Sequence, residues 1–156
     1  QWKKLNTKDY GIPHSRPRVF MVGTKGEFEW PDEVPSPPLL DYVDVSDTSR
    51  NELSETVQPY VDRMNPRAVY YNLGFRHYKH TSSHLYAPCI CASDASKYWN
   101  NHMHRKANCK ELLMLQGFPL DFVYTSQAQL KKQLGNSISV CTIQKIIRNL
   151  IDGADM

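Results

Sequence analysis

The clearest periodicity lies in the last third of the chain. From Ser139 onward, apolar residues recur at Ile143, Ile146, Ile147, Leu150 and Ile151. That spacing of three and four predicts an amphipathic helix. Upstream, Asn108-Cys109-Lys110-Glu111 has the form of a capping box, with Asn as N-cap and Glu three residues later. It predicts a short helix through Leu115, ended by Gly117-Phe118-Pro119. Ser126-Gln127-Ala128-Gln129 repeats the capping logic for a helix that stops at Gly135. In the first residues, Trp2 to Leu5 and Val19 to Val22 read as two short strands joined through a turn at Tyr10-Gly11-Ile12-Pro13. Arg16 and Arg18 stand at the mouth of the second strand with Pro17 between them. Alternate residues of an extended chain point the same way, so the two guanidiniums are expected to project together as an anion clamp.

The middle of the chain has no such regularity. Residues 24–66 hold Pro31, Pro35, Pro37, Pro38, Pro59 and Pro66, a density that forbids long helices or strands. An irregular connector is expected there, with one helical turn at Leu39–Val43. Residues 67–107 interleave bases with aromatics and five histidines. Arg67, Arg76, Lys79, Lys97, Arg105 and Lys106 are the expected nucleic-acid contacts, since such groups meet phosphates while rings stack or pack. The competing reading makes this segment a small β-rich unit whose rings are core.

Charge sharpens that division. Residues 1–23 carry five basic side chains against one acidic, and 24–65 carry three against ten. Residues 66–110 carry seven against one, and 111–156 carry four of each. The net charge of +3 therefore conceals one stretch suited to a polyanion and another kept away from it. Apolar and charged contents of 40% and 22% are ordinary for a globular chain, and no apolar run is long enough to span a bilayer. No membrane partner is expected. Four cysteines, Cys89, Cys91, Cys109 and Cys141, are too few for a secreted disulfide framework, so reduced thiols and an intracellular setting are expected, in a prokaryotic cytoplasm or a nucleus. The start, Gln1-Trp2-Lys3-Lys4-Leu5, has neither an initiator methionine nor a signal-peptide core, and reads as the middle of something longer.

Three segments in order, "LNTKDYGIPHSRPRVFMVG", "NCKELLMLQGFPLDF" and "KQLGNSISV", resemble the eighth, ninth and tenth motifs of the DNA cytosine-5 methyltransferases. In that family a variable target-recognition region lies between the eighth and ninth motifs, where residues 24–107 fall here. The resemblance implies an α/β fold: the C-terminal part of a Rossmann-like S-adenosylmethionine-dependent methyltransferase domain, plus a small, irregular, β-containing target-recognition domain. It divides the chain into 1–23 (last strand pair), 24–107 (recognition) and 108–156 (returning helices). It implies that Arg16 and Arg18 belong to the pocket of a flipped cytosine, one on its O2 and the other orienting a catalytic glutamate and phosphate. It also implies that Asn136, Ser137 and Ile138 close one side of the S-adenosylmethionine pocket.

This sequence departs from the family pattern at two positions. His14 stands where the family usually has Gln, adding a titratable group, and Lys110 stands where it usually has Arg, losing a bidentate fork. The family's Phe-x-Gly-x-Gly cofactor loop and its Glu-Asn-Val acid are not in these residues. The nucleophilic Pro-Cys-Gln is missing too; Pro88-Cys89 follows the eighth motif, lacks the Gln, and reads as a decoy in a strand near the end of the recognition region. Cys89-x-Cys91 with His102-x-His104 has poor zinc spacing, so no metal is expected. The resulting expectation is the C-terminal portion, or a split subunit, of a DNA cytosine-5 methyltransferase. It would act on DNA only with an N-terminal region that carries the nucleophile and cofactor loop. A non-catalytic nucleic-acid-binding module that keeps the scaffold, and an RNA cytosine-5 methyltransferase, are the alternatives. Both terminal elements are expected to pack on a sheet that is mostly absent, leaving apolar surface exposed.

Overall fold

Among the described residues, two antiparallel sheets and four α-helices, one of them a single short turn, position the rest of the chain. The computed structural model describes residues 1–74 and 83–153. β1 (Trp2–Asn6) pairs with β2 (Pro17–Met21), Leu5 opposite Arg18 and Trp2 opposite Met21. Pro17 opens β2, where its missing N–H costs little. The connector contains a 3-10 turn at Thr7–Asp9 and Gly11 at φ 95°. A single helical turn at Leu39–Tyr42 interrupts the proline-rich stretch, followed by the short α1 (Gln58–Val61). The second sheet runs β3 (Tyr70–Asn72), β4 (Tyr98–Asn100) and β5 (Arg105–Lys106), in that spatial order and antiparallel throughout. α2 (Cys109–Gln116), α3 (Gln127–Asn136) and α4 (Val140–Asp152) follow. Among the described residues, no helix is long and apolar enough to cross a membrane.

α2 forms for the reason its sequence announces. Asn108 Oδ1 accepts the Glu111 N–H at 3.0 Å while Glu111 Oε2 accepts the Asn108 N–H at 3.0 Å, satisfying two donors that a helix start leaves open. Leu112, Leu113 and Leu115 are fully buried, and Gly117 ends the helix in the left-handed region at φ 78°. A Cβ at Gly117 would also lie 2.9 Å from the Ile12 Cδ1, which would have to move aside.

The main core unites segments far apart in sequence: Leu39, Val69, Tyr70, Ile90, Tyr98, Leu112, Leu130 and Leu134 among them. Most recognition-segment rings that the structure describes are therefore core rather than display. A second core joins the two terminal elements, with Leu5, Tyr10, Phe28 and Ile146 buried together and Phe20, Trp30 and Leu150 against them. The hairpin and α4 thus pack on one another, which sequence reasoning did not foresee. Their outer faces stay bare as expected: Trp2 is 70% and Met21 82% exposed, and Val19, Ile147 and Ile151 are exposed beside them. Of the apolar stripe on α4, only Ile146 is fully buried.

The rigid point of the second sheet is an ion pair. The Arg105 guanidinium, 1% exposed, meets both Glu111 oxygens at 2.9 Å. It also donates to the carbonyls of Asp44 and Asp47. Glu111 Oε1 additionally accepts from the Asp44 N–H and Asn100 Nδ2. Burial works against the Arg105 charge, but hydrogen bonding to Glu111 and its field raise the pKa above the ordinary value. Beside the pair, the Ser46 hydroxyl, then Lys110 and Asn108, hold the Asp44 carboxyl down to about 2. A buried carboxylate stripped of its cation is strongly penalised. Arg105→Ala is expected to lower stability by about 3–5 kcal/mol, read from urea unfolding; a loss under about 1 kcal/mol would contradict this role.

Candidate functional site

The eighth-motif arginines do converge, and the point of convergence is Cys89. Arg16 Nη1 lies 3.5 Å and Arg18 Nη2 3.8 Å from its Sγ. The two side chains are not equivalent. Arg16 is 2% exposed, and its remaining contacts are backbone carbonyls: Ile90 at 2.6 Å, Gly135 at 2.8 Å and Ser137 at 2.5 Å. Among the described residues its Nε finds no partner. Burial lowers its pKa from the ordinary arginine value, opposed by Cys89. Arg18 is half-buried; among the described residues its hydrogen-bond partners are the Pro17 carbonyl at 2.7 Å and Cys89.

Backbone and side chain together dock the Ala87–Cys91 segment beside the motif. Ala87 N–H donates to Pro13 O and Ser15 N–H to Ala87 O, each at 2.8 Å. His14 Nε2 then accepts the Ile90 N–H at 3.2 Å. The Ile90 peptide is thus held at its N–H by His14 and at its carbonyl by Arg16. Asn6 Oδ1 in turn accepts the Arg16 N–H at 2.7 Å, which fixes the clamp to β1. His14 is wholly buried, and as an acceptor at Nε2 it is neutral with its proton on Nδ1.

Gly135 closes the arrangement. A Cβ there would sit 2.2 Å from the Ala92 backbone nitrogen, so α3 can approach the 91–92 backbone only because this residue has no side chain. The close approach at Gly135 is therefore to the chain itself. Asn136 and Ile138 are exposed just beyond it, Ile138 at 48%, while Ser137 is half-buried with its hydroxyl on Leu134 O at 2.8 Å.

The expected nucleic-acid contacts separate into three sets. Arg67 is exposed on an open cleft of about 1120 Å³, lined also by Tyr71, Trp99, His102 and His104. Lys97 and Lys106 border a second cleft of about 710 Å³ that shares Trp99 with the first. Arg105 is a correction: its donors turn inward to Glu111 and the carbonyls of Asp44, Asp47 and Lys106, so it holds the scaffold and faces no phosphate. Arg76 and Lys79 lie outside the described residues. Lys110 makes a single contact to Asp44 Oδ1 at 3.1 Å in place of the family's fork. Among the described residues, no group of three or more His, Cys, Asp or Glu is placed to hold a metal ion.

Sequence reasoning missed the place of Cys89. The Pro88-Cys89 dipeptide was visible, but only the fold puts its sulfur between two arginines 73 and 71 positions away. It also missed the electrostatic cost of His14. Burial first, then the Arg16 charge, lowers its pKa from 6.5 to about 3. Between those values the unfolded chain takes up a proton that the folded chain refuses, so stability falls as pH falls below 6.5. The chain is expected to lose about 2 kcal/mol between about pH 8 and pH 5 from this group. His14→Gln, an uncharged acceptor, is expected to remove that slope in urea titrations; an unchanged slope would contradict the burial argument.

The chain is similar to known proteins in sequence and in fold. The C-5 cytosine-specific DNA methylase family matches the chain over residues 1–65 and 40–152. The Type II methyltransferase M.HaeII of Haemophilus aegyptius is 27% identical across 99% of this chain and 51% of its own length. M.Bsp6I of a Bacillus strain is 27% identical across 96% and 54%. The chain spans about half the length of the curated relatives it matches. Among solved structures, the S. pombe Dnmt2 methyltransferase overlays 99% of this chain on 57% of its own, with a TM-score of 0.60 at 15% identity. An Entamoeba histolytica methyltransferase overlays 97% on 53%, with a TM-score of 0.57 at 16% identity. The fold is thus a methyltransferase α/β fold in part, and the chain belongs to the C-5 cytosine-specific DNA methylase family.

Proposed function

We propose that this chain is the C-terminal portion of a DNA cytosine-5 methyltransferase, contributing target recognition and part of the pockets for a flipped cytosine and for S-adenosylmethionine. The observation that carries the reading is the asymmetry of the arginine pair. Arg16 is spent on carbonyls of the 90 and 135–137 segments, whereas Arg18 stands half-buried with the long Cys89 contact as its inward bond. Arg18 is therefore the residue that meets the cytosine O2, and Arg16 is the positioning residue that fixes the wall behind it. Attack of a thiolate at C6 spreads negative charge over the ring and O2, and a guanidinium already in place stabilises that charge where it develops. A base must leave the helix to be reached in this way.

S-adenosylmethionine supplies the methyl group in this family. Asn136 and Ile138, exposed at the α3–α4 turn, suit one side of its pocket, and the Arg16 bond to Ser137 O holds that turn. Arg67, Lys97 and Lys106 border the clefts where DNA would lie. Residues 1–23 and 108–156 then serve the catalytic half and 24–107 the recognition half, in an intracellular enzyme. The nucleophile, the acid and the cofactor loop come from an N-terminal region, which covers the bare faces around Trp2, Val19 and Met21 and around Ile147 and Ile151.

The test is methyl transfer from labelled S-adenosylmethionine to mixed DNA. The chain is assayed alone and with a co-expressed N-terminal region carrying the missing motifs. Activity is expected only in the pair, and Arg18→Ala in the pair should lower the turnover rate about 100-fold or more. Activity by the chain alone, or an Arg18→Ala pair that turns over normally, would overturn the reading. Salt-sensitive DNA binding without activity in the pair would favour a binding module instead.

A further inference from the structure

Cys89 and Cys91 flank a peptide that is held at both ends. The Ile90 N–H is bound by His14 and its carbonyl by Arg16, so the chain between the two thiols has a fixed geometry. Cys91 Sγ–H donates to the Cys89 carbonyl at 3.8 Å, placing it back toward its neighbour. Cys89 Sγ receives guanidinium N–H groups from both sides, Arg16 at 3.5 Å and Arg18 at 3.8 Å. It is half-buried, so part of it remains open to solvent. The other two cysteines have different surroundings. Cys109 is buried in the main core, and the Cys141 sulfur contacts the Ser139 and Thr142 hydroxyls.

We infer that Cys89 and Cys91 form a peroxide-sensitive dithiol, with Cys89 oxidised first and Cys91 closing the disulfide. A partly exposed sulfur in electropositive surroundings is where such oxidation concentrates. The Cys89 sulfur attacks one oxygen of hydrogen peroxide; an S–O bond forms, the O–O bond breaks, and water leaves with the thiol proton. The Cys91 sulfur then attacks the Cys89 sulfur; an S–S bond forms, the S–O bond breaks, and a second water leaves. Two thiols and one peroxide become one disulfide and two waters. The guanidiniums stabilise negative charge on Cys89 sulfur as it attacks. Burial first, and then the Cys89 sulfur beside it, push the Cys91 thiol up, which assigns it the second step. The inference rests on thiol chemistry and stands apart from the methyl-transfer reading.

The test treats the whole chain with hydrogen peroxide and follows tryptic peptides by mass. The peptide 80–97 carries Cys89 and Cys91 and no other cysteine. It is expected to lose two hydrogens before the peptides of Cys109 or Cys141 change. Cys91→Ser should trap Cys89 as a sulfenic acid that dimedone labels, and Cys89→Ser should leave Cys91 reduced. Arg18→Met, at a half-buried position that a variant tolerates, should slow the first step about tenfold, the worth of one hydrogen bond to a charged donor. Prior oxidation of Cys109 or Cys141, a peptide 80–97 that stays reduced, or an Arg18→Met rate equal to that of the parent chain would overturn the inference.

Discussion

A guanidinium with almost no access to water, that of Arg16, organises this chain. Taking the Arg16 charge out of solvent costs several kcal/mol, and only well-placed acceptors offset it. They come from two stretches of chain: the Ile90 carbonyl with the Cys89 sulfur beside it, and the Gly135 and Ser137 carbonyls. Neither of those stretches satisfies Arg16 alone. The start of β2, the 89–90 segment and the end of α3 therefore have to meet. Gly135 permits the meeting by letting α3 touch the 91–92 backbone, and His14 completes it by holding the Ile90 N–H.

That constraint separates two jobs that the motif alone presents as one. Arg16 is spent on backbone carbonyls, while Arg18 stays half-buried beside Cys89. A buried ion pair, Arg105 with Glu111, does the same building for the second sheet, joining β5, the 44–47 loop and the start of α2. Both hubs use arginine against carbonyls or a carboxylate, where the planar fork reaches several acceptors at once. The aromatics between them are packed as core, while the cations Arg67 and Lys106 stay exposed.

Local elements were legible because their signals are local. The capping box of Asn108 and Glu111, the Ser126 cap and the stripe after Ser139 each specify a helix within a few residues, and α2, α3 and α4 follow them closely. The hairpin was legible for the same reason, with β2 opening at Pro17 rather than Val19. The fate of each charge was not. Arg105 and Lys106 are neighbours of one type, yet one is buried and the other exposed; only the pairing of β5 beside α2 decides which. Cys89 looked inert because its electrostatic neighbours lie some seventy residues away. The Glu of the capping box likewise gave no sign that its carboxylate also anchors Arg105.

The central claim is that Arg16 holds the 87–91 segment and the end of α3 as one unit. Amide hydrogen exchange on Arg16→Met tests it most directly. The account predicts that the Ala87, Ile90 and Ser137 amides lose protection together, by about 100-fold or more, in keeping with the roughly 3–5 kcal/mol lost when a buried charge network is broken. The amides of Leu112 to Leu115 in α2 should keep theirs. Full protection retained at either the 87–91 segment or the end of α3 would show that something other than Arg16 joins them.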